Sequence, residues 1–66
     1  MNTSPVGKYK TITDISLRLG ISAGTIPKGT VVHIEQVDVQ YGKVLFRSGS
    51  DVDWIPDTIL HKLEKI

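Results

Sequence analysis

Apolar and polar side chains alternate along most of this chain, the period-two signature of strands whose successive side chains point to opposite faces. From Lys8 to Thr13 charge alternates with bulk, and Tyr9 and the β-branched Thr11, Ile12 and Thr13 favour a first strand. Thr30 to Val37 is the clearest case: Val32 and Ile34 share one face, His33 and Glu35 the other, and Val31 and Val37 are left in need of separate cover. Lys43 to Arg47 puts Val44 and Phe46 together and predicts a third strand, and Val52 to Ile55 predicts a fourth. Pro56 lacks an amide hydrogen for a ladder, so it ends that strand or holds it at an edge.

Between the first two strands, Ile15, Leu17, Leu19 and Ile21 alternate through Asp14 to Thr25, which predicts a long, irregular hairpin. A helix competes, because Leu17 and Ile21 are four apart, but Gly20 and Gly24 each cost a helix about 1 kcal/mol relative to alanine. Pro27, two residues before Gly29, predicts a turn with Pro27 second, Lys28 third and Gly29 fourth. Asp38 to Gly42 reads as a polar connection and Ser48 to Asp51 as a tight turn. Asp57 is expected to cap a single helical or 3-10 turn through Leu60, after which His61 to Ile66 returns as a last strand or forms a short amphipathic helix. Residues 1–7 are neither periodic nor strongly apolar and read as a flexible arm, leaving 8–66 as a single domain.

Composition narrows the function classes. A 66-residue chain has apolar surface for one core, and with no cysteine that core is held by packing, without disulfides or thiolate-bound metal. No secretory signal and no apolar run of about 20 residues is present, so a soluble, cytoplasmic protein with no membrane contact is expected. A net charge of +1 with interspersed signs permits a local basic patch and no strong basic stripe, which makes nucleic acid the lesser partner class. His33 and His61 read as surface histidines, and Asp51, Asp53 and Asp57 as turn and cap residues, since the sequence lacks a calcium loop, a phosphate loop and a nucleophile motif. No catalytic residue, metal or cofactor is implied, and the chain is expected not to be an enzyme.

Three segments, taken in order, resemble the Src-homology-3 family and its bacterial relatives. Pro27 to Glu35, reading Pro-Lys-Gly-Thr-Val-Val-His-Ile-Glu, is similar to the family's Lys-Gly-Asp-x-Val strand start. Trp54 to Leu60, Trp-Ile-Pro-Asp-Thr-Ile-Leu, resembles its aromatic-apolar-Pro-Ser-x-Tyr-apolar signature, and Ser16 to Gly20, Ser-Leu-Arg-Leu-Gly, resembles the bacterial Leu-x-Val-Arg-x-Gly. The resemblance spans about 8–63 and implies an all-β fold, a small five-stranded barrel with a short 3-10 turn before the last strand. It also implies that Ile55 faces inward and Trp54 outward beside Pro56.

In the family's peptide binders aromatic ridges form a groove for a polyproline helix. Carried over, the resemblance nominates Trp54, Pro56, Tyr41 and Tyr9 as partner-binding residues, supported by Ile59. Ile59 stands where the family has a tyrosine, and Asp14 is the lone acid of a loop that is usually acidic, with Arg18 reversing the sign; both point to another peptide or a flat protein surface. The leading expectation is therefore a protein-interaction module or small regulatory subunit. One alternative is a nucleic-acid-binding barrel using Lys8, Lys10, Lys43 and Arg47 beside an aromatic face. Another is a structural subunit that self-associates through outward-facing Leu45, Val31 and Trp54.

Overall fold

The computed structural model describes residues 5–19 and 22–66. The chain is all-β, as the alternation predicts, but the described residues form seven strands in two sheets rather than a five-stranded barrel. β1 (Gly7–Thr11), β4 (Val31–Asp38), β5 (Lys43–Ser48), β6 (Asp51–Pro56) and β7 (Leu63–Lys65) make one antiparallel sheet in the order β6-β5-β4-β1-β7. β2 (Ile15–Leu19) and β3 (Ser22–Ile26) pair only with each other. The two extra strands arise because the expected irregular hairpin is regular, with Ile15 opposite Ile26 and Leu19 opposite Ser22. Ile21, assigned to that alternation, lies outside the described residues.

The hairpin closes the core. Ile15 and Leu19 reach the buried cluster formed by Tyr9, Val32, Ile34, Val44, Phe46, Ile59 and Leu63. Val44 and Phe46 are fully enclosed, as their alternation with Lys43, Leu45 and Arg47 requires. Val37, unaccounted for by strict alternation from Val32 and Ile34, also packs on this core, and a β-bulge explains it. Ile34 pairs with Phe46 while Gln36 pairs with Leu45, so Glu35 is an extra residue in β4 and every later side chain changes face. The same shift sends Gln36 outward with Leu45.

The turn at 27–30 differs in register from expectation, and the one at 48–51 does not. Thr30 N donates to Pro27 O at 3.3 Å, which makes Pro27 the first residue of its turn rather than the second and Gly29 the third, with φ of +88°. That position of a type II turn favours glycine, since an L side chain there meets its own backbone. Open space surrounds the site of a Cβ on Gly29, so Gly29→Ala isolates the backbone effect and is expected to cost about 1 kcal/mol, measured as a shift in urea midpoint with unchanged slope. In the β5–β6 hairpin Ser48 pairs with Asp51, and Gly49, at φ +64°, occupies the first central position of the tight turn, where a type II′ hairpin carries glycine.

The turn at 27–30 is fastened to β1 by Thr11, a buried polar residue with no apparent role in the sequence pattern. Its hydroxyl donates to Pro27 O at 2.8 Å and accepts from Thr30 N at 3.0 Å, while its backbone exchanges bonds with Thr30 and Gly29. Thr11→Val keeps shape and removes both hydroxyl bonds inside the protein. It is expected to lower stability by about 1–3 kcal/mol, with Thr11→Ser recovering most of the loss in a thermal melt.

After β6 a 3-10 helix, η1, runs from Asp57 to Lys62, longer than the single turn expected. Pro56, not Asp57, is its N-cap, and it has no side-chain cap; instead Asp57 N donates to Gly42 O at 2.8 Å. A strand follows, as one of the two expected outcomes, pairing Leu63 with Thr11 and Lys65 with Tyr9. Of the expected arm at 1–7, Gly7 already belongs to β1, Pro5 O accepts from the Tyr9 hydroxyl at 2.6 Å, and Val6 O accepts from Lys65 Nζ at 2.9 Å. Residues 1–4 lie outside the described residues. No described helix is long and apolar enough to cross a membrane.

Candidate partner-binding surface

Because Val44 and Phe46 face the core, their strand neighbours Lys43, Leu45 and Arg47 must face outward. The register then fixes the rest of that outer face. Leu45 lies opposite Trp54 on one side and Gln36 on the other; Lys43 lies opposite Pro56 and Asp38; Arg47 lies opposite Val52 and His33. Across β1 the face continues through Lys8, opposite His33, and Lys10, opposite Val31. The face is thus apolar and aromatic at Trp54, 40% exposed against half-buried Leu45, with lysines and Arg47 around it interspersed with Asp38 and Glu64.

β6 is an edge strand, and its neighbour across the gap is the β2–β3 hairpin. Where β6 runs into η1, a shallow cleft of about 140 Å³ opens between them. Leu17, Ile55, Pro56 and the edge of Ile59 supply its apolar walls, and Ser16, Thr58 and Lys62 its polar rim. Pro56 belongs to both features: it alternates in phase with Trp54 along β6 and also lines the cleft.

The nominated residues separate accordingly. Trp54 and Pro56 share the outer edge, with Ile55 turned inward as the resemblance implies and half-buried against the core. Tyr41 is 69% exposed in the β4–β5 loop, whose end is tied to η1 by the Gly42–Asp57 hydrogen bond and whose start is fixed by Asp38 Oδ1 accepting from Tyr41 N. Tyr9 is a correction. It is buried in the core opposite Val32, its hydroxyl committed to Pro5, so it lines no groove. Ile59 is likewise a core residue, 7% exposed, and reaches the cleft only by its edge.

Lys8, Lys10, Lys43 and Arg47 do share one face, because all four are out of phase with the core residues of β1 and β5. The strand β4 separates the two lysines of β1 from Lys43 and Arg47. Arg47 also makes a two-pronged ion pair with the bulged Glu35, Nε to Oε2 at 2.5 Å and Nη2 to Oε1 at 3.2 Å. Hydrogen bonding by the Arg47 guanidinium holds the Glu35 carboxyl below its ordinary value, and the same bond raises Arg47. Of the three lysines, Lys10 lies opposite Glu64 and Lys43 opposite Asp38, so acids stand beside two of them on the same face. Among the described residues no three His, Asp or Glu side chains gather as a metal site.

No family model, curated protein or solved structure matches the chain. The surface must therefore be interpreted from its own chemistry. Leu17, Thr58 and Lys62 were not among the nominated residues, since only the meeting of hairpin, edge strand and η1 brings them to one cleft. The available signal was the alternation of Ile15, Leu17 and Leu19, which marks the hairpin as a packed element.

Proposed function

We propose that this chain is a non-enzymatic, Src-homology-3-like interaction module that binds a segment of another protein along the β6 edge, with Trp54 as its anchor. The family reading is supported by a hairpin inserted after β1, a 3-10 helix before β7 and the strand order of the main sheet. The observation that carries the binding reading is Trp54, the chain's single tryptophan, which stands 40% exposed on a sheet face beside Leu45 and in phase with Pro56. Tryptophan is enriched among residues that dominate binding energy, and a half-exposed indole on a rigid strand is anchored before the partner arrives. Tyr41, 69% exposed in the β4–β5 loop, is a further aromatic candidate.

Nucleic acid is the second reading, favoured by the common face of Lys8, Lys10 and Lys43. The two readings separate by salt. A partner held by an apolar anchor stays bound between 50 and 300 mM salt and after nuclease treatment, whereas neutralising several phosphates makes affinity fall steeply with ionic strength. A pull-down from lysate across that series, with and without nuclease, is expected to recover a nuclease-resistant protein. Capture that vanishes with nuclease and salt would replace this reading with the second.

A further inference from the structure

The cleft beneath Pro56 constrains what chemistry the partner brings, an inference that rests on the reading of the β6 edge as a binding surface. Its walls are apolar, and Lys62 is the one charged residue that lines it. The acids near it in sequence are placed elsewhere: Asp14 Oδ1 accepts from Lys28 N at 2.8 Å in the 27–30 turn, the Asp57 carboxylate lies beside Gly42 of the β4–β5 loop, and Glu64 lies on β7 opposite Lys10. Among the described residues no carboxylate is paired with Lys62, and Glu35 is taken by Arg47. Lys43, opposite Pro56, adds a second cation at this end of β6.

A volume of about 140 Å³ admits one aliphatic side chain. The ligand carboxylate that meets Lys62 must therefore lie very near that side chain. In an extended segment neighbouring side chains point to opposite sides, so an acidic residue next to the seated one is aimed away from the cleft. A terminal α-carboxylate shares its Cα with the seated side chain and stays with it. We propose that the cleft receives the C-terminal aliphatic residue of the partner protein, with its α-carboxylate on Lys62 Nζ and its side chain against Leu17, Ile55 and Pro56.

The test is an amide-resolved NMR titration of the ¹⁵N-labelled chain with three probes: N-acetyl-leucine, N-acetyl-leucine amide, and acetyl-Leu-Glu-amide. Saturable shifts at Ser16, Leu17, Ile55, Thr58 and Lys62 are expected with N-acetyl-leucine. Affinity for the other two should be about threefold weaker, the margin an exposed ion pair supports. Lys62→Ala, at an exposed position, should keep the dispersed spectrum and reduce N-acetyl-leucine to the level of its amide. Equal affinity for acid and amide, preference for the Leu-Glu probe, shifts away from the cleft, or no shift up to probe solubility would each overturn the proposal. Those failures leave Trp54-dependent capture of a protein intact, whereas capture that ignores Trp54 removes the broader reading without touching this titration.

Discussion

Replacing Phe46 by alanine is expected to abolish the cooperative thermal transition, or to lower its midpoint further than any other single substitution in the chain. Phe46 is fully buried at the centre of β5, paired with Ile34 on one side and Asp53 on the other. Truncating a buried phenylalanine costs about 3–5 kcal/mol, from lost transfer energy and from the cavity that rigid neighbours cannot fill. At the usual stability per residue, a domain of this length has about 3–10 kcal/mol in total. Phe46 sits where both sheets meet the core, since Ile15 and Leu19 of the hairpin belong to the same cluster. Circular dichroism melts and the dispersion of the amide spectrum measure the effect. A fall of only a few degrees would mean that Phe46 is not enclosed in the shared core as described.

Trp54→Ala carries the second large effect, on binding rather than folding. The side chain is only partly buried, and its cross-strand contact with Leu45 is worth about 0.2–1 kcal/mol, so the variant is expected to fold and to melt a few degrees lower. Partner affinity should fall by about 2 kcal/mol or more, roughly thirtyfold, the loss associated with an aromatic anchor at the centre of an interface. Leu45→Ala, on the neighbouring strand, should give a smaller loss in the same direction. Lys10→Ala, across β4 and beyond it, should leave a protein partner bound at moderate salt and weaken a nucleic acid. Isothermal titration at two salt concentrations distinguishes these outcomes.

The strands were legible where alternation was strict. Val32, Ile34, Val44 and Phe46 are buried, and His33, Glu35 and Lys43 exposed, as the period of two requires. What alternation could not reveal was a change of phase within a strand. The extra residue at Glu35 has no local signature, because a bulge is decided by which residues of β5 can be paired, and it alone accounts for the burial of Val37. The 27–30 turn moved by one position for a related reason: Thr11, distant in the sequence, holds Pro27 O and Thr30 N from outside the turn.

Tyr9 shows how a resemblance can mislead where the local pattern does not. Lying between Lys8 and Lys10 on a strand, it had to face away from both, and with the lysines in solvent it had to face the core. Trp54 and Ile55 obey the same rule in the opposite sense, and there the resemblance and the alternation agree. The hairpin, distant in the sequence, meets the consecutive β6 and η1 at the cleft, so Lys62 acquires its significance only in the folded chain.

The central claim, that partners bind over Trp54, is tested most directly by labelling the chain's one tryptophan with 5-fluorotryptophan and recording its ¹⁹F resonance while the captured partner is added. A single resonance is expected, shifting or broadening in step with saturation measured independently by sedimentation. A resonance that stays at its free position while sedimentation shows the complex forming would contradict it, and would place the binding surface elsewhere on the fold.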